Sequence, residues 1–249
     1  MAQYHQMEGR CDGCLQFDKQ QSWAYGADMT SAQIKGEGEM AFERVSVHGG
    51  HSGQFCCHAR DRLEDVVRAY IDQGFAWVGL TEHMPPVDDR FLYPEERSAG
   101  MDAAAMATRF GHYITEARRL QTAYADQIDI LVGFESEHTP GAVALAQRLI
   151  AAHGPDYVVG SVHHLAEIPF DYSPAAYQQA IDTLGGIEAF YCHYFDRQYD
   201  LIRRLRPAVV GHFDLVRLFD PDYDRHLALP AVHGTDTLHR AVQLWHPLF

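Results

Sequence analysis

Histidines and carboxylates recur in this sequence directly after short apolar runs. They are Glu82 and His83 after Phe75–Leu80, Glu135 after Ile130–Phe134, His163 and His164 after Tyr157–Val162, His212 and Asp214 after Val209–Gly211, and His48 and His51 after Val45–Val47. Such groups are costly to bury unless something pairs with them. Imidazole and carboxylate together suit Zn, Fe or Mn. Two cations about 3.5–4 Å apart can hold a hydroxide and clamp the attacking and leaving oxygens of a phosphoryl group. The pattern therefore predicts a hydrolytic site with several metal ions.

Within this set, Glu135 is a lone carboxylate at a strand end and is predicted to bridge the metals. The predicted terminal ligands are His51, His58, His83, His163 and His212, and the predicted catalytic residues are Glu135, His83 and His212. A lone buried histidine is more often a hydrogen-bonded core residue, but the shared strand-end placement favours ligands here. Glu137 lies past its strand and is predicted to be solvated. His164 should face away from His163.

The apolar runs alternate with amphipathic segments about five times. The predicted strands are 45–47, 75–80, 128–134, 156–162 and 208–211, and the predicted helices are 61–73, 102–124, 142–152, 174–184 and 187–205. This alternation indicates an α/β fold with a parallel sheet and right-handed crossovers. Both barrels and open sheets place their sites at the C-terminal strand ends. A barrel is favoured because all five strands contribute.

Outside this region the pattern weakens. Residues 1–44 show no sustained period and are predicted to be a poorly ordered extension. The segment 227–232 reads as a weak strand interrupted by Pro230, and 235–245 as an amphipathic helix. His138 and His226 have no strand-end position and are predicted to be surface or helix histidines.

The composition limits the classes of binding partner and the cellular location that we expect. The chain has 249 residues, a formal charge of −14 and 16 histidines. No basic stripe is present, which argues against nucleic acid as the main partner. No long apolar run or secretory signal is evident, so no membrane partner and a cytoplasmic location are expected. Five cysteines do not form a disulfide framework, and Cys11-x-x-Cys14 is half a zinc site without a second pair.

Several motifs together resemble a known family. They are His51-Ser-Gly-Gln-Phe-Cys-Cys-His58, Leu80-Thr-Glu-His83, Gly133-Phe-Glu135, Gly160-Ser-Val-His-His164 and Gly211-His-Phe-Asp-Leu215. In order and spacing they resemble the PHP-type (polymerase and histidinol phosphatase) histidinol-phosphate phosphatases, particularly the fungal form. The resemblance implies a distorted seven-stranded (β/α) TIM-like barrel over residues 45–249. It also implies up to three divalent metal ions and hydrolysis of L-histidinol phosphate to L-histidinol and phosphate in histidine biosynthesis.

The sequence departs from that family's ligand pattern in two places. The first member of a His-x-His pair should lie two residues before His51, where this chain has Gly49; His48 is one place off and needs a bulge at Gly49-Gly50 to join the site. A closing Asp-x-His is absent after Phe219, and two late strands are missing. Residues 220–249 are therefore atypical, and the barrel is expected to be incomplete at its C-terminus.

The predicted substrate is a small phosphate ester attacked in line by a metal-bound hydroxide. Arg217, just past the fifth strand, is the best-placed cation to grip phosphate, although an exposed surface arginine is an equal alternative. Two rival functions stay open. One is another phosphoesterase of the same family, and the other is a truncated, catalytically impaired homologue that binds fewer metals.

Overall fold

The computed structural model describes residues 43–49, 51–229 and 231–232. The strands are β1 (Arg44–Ser46), β2 (Phe75–Leu80), β3 (Asp129–Ser136), β4 (Tyr157–Gly160), β5 (His164–Leu165), β6 (Ile168–Pro169) and β7 (Val209–Val210). The helices are α1 (Leu63–Asp72), α2 (Pro94–Ser98), α3 (Ala103–Ala123), α4 (Ala142–His153), α5 (Pro174–Leu184), α6 (Ile187–Leu205) and α7 (Tyr223–Leu227). The predicted α/β class and the alternation of strands with helices are confirmed.

Five strands form one parallel sheet in the order β1-β2-β3-β4-β7. The order follows the chain without reversal, whereas a doubly wound sheet reverses at a switch point. A parallel sheet wound in one direction is the beginning of a barrel, with its helices on one face. Within residues 43–49, 51–229 and 231–232 no further strand joins this sheet, so closure into seven strands stays a prediction.

Apolar side chains of β2 and β3 pack beneath α1, α3 and α4. Tyr113 of α3 is fully buried, and its hydroxyl donates to the carbonyl oxygens of Leu80 and Gly133, at 2.6 and 2.7 Å. Burial of such side chains contributes roughly 1.5–3 kcal/mol each. The tyrosine connects α3 to the end of β2 and to the middle of β3. It therefore holds the two strands that carry His83 and Glu135 against the helix.

A second apolar cluster lies among α5, α6 and the segment after β7. Phe170, Phe190 and Tyr194 are fully buried there, with ring centroids 5.5–5.8 Å apart in edge-to-face pairs around Phe170. Tyr194 also donates its hydroxyl to the carbonyl oxygen of His212, at 3.1 Å. This cluster therefore supports the strand end that carries His212, whose φ of +22° is rare for a residue with a side chain.

Several local predictions were wrong. The predicted strand 156–162 ends at Gly160, and an antiparallel β5–β6 hairpin follows it. Its turn residues Ala166 and Glu167 have φ of 48° and 64°. Helix α1 begins after Arg62, so Asp61 does not cap it. The weak strand predicted over 227–232 is not seen in its described residues: Leu227 ends α7, and 228–229 and 231–232 are not strand.

Other expectations lie outside the described residues. They concern the extension through residue 42, the Cys11-x-x-Cys14 pair, Gly50 of the proposed bulge and the predicted helix 235–245. Within the described part, no helix combines the length and apolarity needed to cross a bilayer.

Candidate metal centre

Glu135 lies at the centre of a group of histidines at the C-terminal rim of the sheet. Its side chain is 1% exposed. Oε1 lies 3.2 Å from His48 Nε2, 3.4 Å from His163 Nε2 and 2.9 Å from His212 Nε2. Oε2 lies 3.1 Å from His83 Nδ1 and 3.5 Å from His51 Nε2. The strand ends of β1, β2, β4 and β7 therefore all deliver a histidine to one carboxylate of β3.

The two oxygens of Glu135 face two different sets of donors. His51, His58 and His83 form one set, and His48, Glu135 and His212 form the other; the ligand atoms within each set lie within 4.8 Å of one another. The rings of His51 and His83 are stacked 4.1 Å apart, and those of His163 and His212 are 4.9 Å apart. All six predicted metal-binding residues and His48 are brought together. Nitrogen and carboxylate donors in this arrangement fit divalent Zn, Fe or Mn.

Carboxylates behind the histidines orient them. Glu82 is buried and accepts hydrogen bonds from Ser52 N (2.8 Å) and Ser52 Oγ (2.6 Å), and its Oε2 lies 3.3 Å from His51 Nδ1. Ser161 donates to Glu135 Oε1 at 2.6 Å. Partners of this kind fix the ring orientation of metal-binding histidines. The sequence pattern included Glu82 but assigned it no role, and it did not identify Ser52 or Ser161 as hydrogen-bond donors to these carboxylates.

The prediction that Glu137 is solvated was wrong. Its Oε2 accepts from His163 Nδ1 at 2.9 Å and from His164 Nδ1 at 3.0 Å, and only 17% of the side chain is exposed. Side chains two residues apart on a strand share a face, so the spacing from Glu135 was a usable signal. His164 meets the same oxygen as His163, so the prediction that it faces away from His163 was wrong, because the strand ends at Gly160 and its alternation does not continue. His138 is likewise buried, not on the surface, and pairs with Asp200 at 3.0 Å.

His48 reaches the site although it is out of register with the family pattern. Its Nδ1 contacts Thr81 Oγ1 at 2.5 Å while its Nε2 faces Glu135. Gly49 donates its backbone N–H to Gly79 O at 2.7 Å, and a Cβ at position 49 would lie 2.5 Å from that oxygen. No side chain fits at Gly49. His48, and not position 49, therefore supplies an imidazole to Glu135.

Replacing Gly49 with alanine is expected to destabilise the protein by about 1–3 kcal/mol, because the new Cβ meets backbone rather than a mobile side chain. Urea unfolding measures the change. Gly111→Ala in α3 is the matched control: nothing lies within 4 Å of its Cβ, so it should be neutral or stabilising by up to about 1 kcal/mol. Equal effects at both glycines would contradict the steric account.

His58 belongs to the loop that returns from His51 to α1. Its Nδ1 lies 3.9 Å from Glu95 Oε1 of α2. Arg109 of α3 holds the loop by donating to Gln54 O and Cys57 Sγ, at 3.3 and 3.4 Å. Arg109 therefore anchors the loop between the two histidines to α3.

The histidines of this site differ in the direction in which their surroundings shift the pKa. Burial opposes protonation of His51, but hydrogen bonds to Glu135 and Glu82 outweigh it and raise its pKa to about 9. Burial, followed by the charge on His51, lowers the pKa of His58 to about 4 and that of His83 to about 3. Burial would raise the pKa of Glu135, yet the charges of His163 and His83 hold it well below its usual value. The buried carboxylates thus favour positive charge beside them, either as a protonated histidine or as a metal cation.

These shifts predict that the metal-free protein is most stable near pH 6.5. His51, with its pKa raised to about 9 from 6.5, loses its stabilising contribution as the pH rises through that range. His58, with its pKa lowered to about 4, stays neutral when folded but is protonated when unfolded, so acid below pH 6.5 destabilises the fold. For each proton that one state binds and the other does not, the free energy of unfolding changes by about 1.4 kcal/mol per pH unit. Urea unfolding with a chelator at pH 5, 6.5 and 8.5 tests this, and a monotonic profile would contradict it.

Arg217 is not seen among the residues that contact Glu135. It is 47% exposed, its Nε lies 2.9 Å from Asp214 Oδ2, and its guanidinium lies 4.8 Å from the ring centroid of Tyr223. Its role in binding phosphate stays a prediction. Its contacts with Asp214 and Tyr223 fit the alternative, an exposed surface arginine, better.

Comparison with known proteins gives a consistent result. A protein of Schizosaccharomyces pombe named probable histidinol-phosphatase is 46% identical over 180 residues, which is 72% of this chain and 58% of that protein. The histidinol-phosphatase of Saccharomyces cerevisiae is 33% identical over 187 residues, covering 70% and 56% of the two chains. This chain thus covers less than two thirds of the length of either relative.

A solved structure shares the fold. It is a Listeria monocytogenes protein described as a "putative histidinol phosphatase", with a TM-score of 0.65 and 18% identity over 81% of this chain and 78% of that one. The sequence model of the PHP domain matches residues 49–241, well over half of the 249 residues. The chain belongs to the PHP domain family.

Proposed function

We propose that this chain hydrolyses L-histidinol phosphate to L-histidinol and phosphate with the help of divalent metal ions. The observation that carries the proposal is the position of Glu135, whose two oxygens face two separate sets of histidines at one strand-end rim. The names of the two fungal relatives support the choice of substrate. The reaction places the protein in histidine biosynthesis, and we propose a cytoplasmic location.

The chain's own residues would hold the metals and position the ester. One ion would be held by His51, His58 and His83, and another by Glu135 with His48 and His212, with His163 close to the same carboxylate. Bound divalent cations supply charge for the phosphoryl oxygens and lower the pKa of water. Glu82 and Glu137 keep the histidine rings in place, so that little reorganisation is needed during the reaction.

We propose Zn, Fe or Mn as the metals, with up to three ions per chain. Seven side chains supply the donors, and their imidazole-rich composition favours these ions over Mg or Ca. Glu135, His83 and His212 are the proposed catalytic residues. The substrate is a small phosphate ester, because a chain with a net charge of −14 offers little attraction to nucleic acid.

An assay of L-histidinol phosphate beside generic phosphate esters tests the function. We expect a kcat/KM at least about a hundredfold higher for L-histidinol phosphate, a preference of about 3 kcal/mol. Comparable rates on all esters would replace the proposal by a phosphoesterase of broad specificity. Fewer than two transition-metal ions per purified chain would instead support an impaired homologue.

A further inference from the structure

Two adjacent cysteines lie in the loop that joins His51 to helix α1. Cys56 is 5% exposed, Cys57 is half-buried, and both are reduced thiols. Cys56 also lines a cavity that reaches His58 and His83. The cavity measures about 40 Å³, against about 10–15 Å³ for one water molecule, so a small oxidant has room to reach this thiol. The next residue after the pair is His58, so a change at the pair acts directly on the metal centre.

The loop has little freedom to absorb a change in its backbone. Gly53 N–H donates to Asp61 O at 2.8 Å, and Cys56 N–H donates to Ser52 O at 2.9 Å. A Cβ at Gly53 would lie 2.7 Å from Ala59 O, so the two arms of the loop are in close contact. A displacement of the cysteines is therefore passed along the chain to the histidine that follows them.

The side chain of that histidine is held by weak contacts. His58 Nδ1 lies 3.9 Å from Glu95 Oε1, and its ring meets the rings of His51 and His83 edge-on at 5.3 and 5.4 Å. These distances are longer than hydrogen bonds to a carboxylate, which are about 2.7–2.9 Å. The position of the His58 ring thus depends mainly on the backbone that carries it.

Cys57 also takes part in the contact between the loop and α3. Arg109 donates to Cys57 Sγ at 3.4 Å and to Gln54 O at 3.3 Å. The same sulfur would have to serve both this contact and a bond to Cys56. A bond between the two sulfurs is therefore expected to weaken the connection of the loop to α3.

Adjacent cysteines can form a disulfide, but only a strained one. Neighbouring Cα atoms are about 3.8 Å apart across a trans peptide, whereas disulfides usually join Cα atoms about 4.4–6.8 Å apart. The bond therefore distorts the peptide between the two residues, and such strain makes a disulfide easier to reduce. Disulfides of cytoplasmic proteins are usually transient and catalytic or redox-sensing. In the cytoplasmic location proposed above, the oxidised state would be reversible.

We propose that Cys56 and Cys57 form a modification site for peroxide, at which oxidation to a disulfide displaces His58, so that His51, His58 and His83 no longer hold a metal ion together. Hydrogen peroxide first converts the half-buried Cys57 thiol to a sulfenic acid, and one water leaves. The sulfur of Cys56 then attacks that sulfur, the S–O bond breaks and a second water leaves. Two thiols and one peroxide thus give one disulfide and two waters. The inference rests on the proposed function, because it switches off a metal-dependent reaction.

Peptide mapping of the zinc-loaded chain after peroxide treatment tests the bond itself. Zinc is used because it has no redox chemistry of its own. Trypsin releases residues 45–60 as one peptide, because Arg44 and Arg60 bound it and no lysine or arginine lies between them. After peroxide we expect this peptide to be two hydrogen atoms lighter and resistant to alkylation. After later reduction with dithiothreitol, both of its cysteines should be alkylated.

Zinc release and kinetics measure the consequence for the metal centre. Peroxide should remove at least one zinc ion per chain from wild type, detected with a chromogenic chelator. It should also lower kcat/KM for L-histidinol phosphate by at least about tenfold. Dithiothreitol followed by added zinc should restore both quantities.

Cys57→Ser keeps an acceptor for Arg109 but cannot form the bond, so this variant should retain its zinc in peroxide. Cys56→Ala provides the same test if Cys57→Ser does not fold. Cys192→Ser is the matched control, since Cys192 is a half-buried thiol of α6 that donates to Ala231 O at 3.0 Å, a bond that serine can also make. It should respond to peroxide as wild type does.

Three results would overturn the modification site: alkylation of both cysteines of peptide 45–60 after peroxide, a disulfide that forms while zinc stays bound, or equal zinc loss from Cys57→Ser. A wild-type chain that binds no zinc would overturn both this site and the proposed function. Failure of a zinc-loaded chain to hydrolyse L-histidinol phosphate would reject the proposed reaction alone, because the peptide map and zinc release do not depend on turnover.

Discussion

Glu135→Gln is expected to lower kcat for L-histidinol phosphate by about a thousandfold, or about 4 kcal/mol of activation free energy, and to remove at least one metal ion per chain. Glutamine keeps the shape of the side chain but presents one oxygen instead of two and carries no charge. Since Oε1 faces His48, His163 and His212 while Oε2 faces His83 and His51, the substitution removes negative charge beside both donor sets.

Steady-state kinetics and elemental analysis on the same preparation measure this result. Glu188→Gln, the exposed acid of α6, controls for the loss of one negative charge and should leave both kcat and metal content unchanged. A Glu135→Gln protein that retains the wild-type metal content would show that the carboxylate does not bridge the two donor sets.

Chelation is the second change with a large expected effect. Incubation with 1,10-phenanthroline should abolish phosphatase activity and lower Tm by about 5–10 °C, because an ion bound at about 100 times its Kd stabilises the fold by about 2.7 kcal/mol. Without cations, burial lowers the pKa of His58 and His83, so positive charge beside Glu135 comes from histidines such as His51, whose pKa is raised. Zinc or manganese added afterwards should restore both quantities.

The non-chelating isomer 1,7-phenanthroline is the control for binding of the aromatic reagent itself. Activity that persists after the metal content falls below one ion per chain would contradict a metal-dependent reaction. Activity lost equally with both isomers would assign the inhibition to binding of the aromatic reagent itself.

The part of the site that could be predicted is the part encoded locally. A short apolar run followed by His83, Glu135, His163 or His212 contains both the strand and the residue at its end, and parallel strands bring such ends to one rim. Glu137 was misjudged because its burial depends on His163 and His164 arriving from β4 and β5, contacts 26 and 27 residues away in sequence.

Other features carry no recognisable local signal. The β5–β6 hairpin turns at Ala166 and Glu167, both with positive φ, whereas such turns are normally marked by asparagine or glycine. Asp61 and Glu64 have the spacing of a capping box, yet the helix starts after Arg62, where no side chain caps it. The sequence could offer His48 only on condition of a bulge, because its position depends on the close approach of Gly49 to Gly79, which belongs to another strand.

Because a single carboxylate faces both donor sets, their occupancies cannot be independent. The first ion to arrive would draw the electron density of Glu135 toward itself and displace protons from nearby imidazoles, so the affinity met by the next ion differs from the first. Titration of the empty protein should therefore give unequal, pH-dependent steps with proton release, and a cell short of metal would hold partly filled molecules.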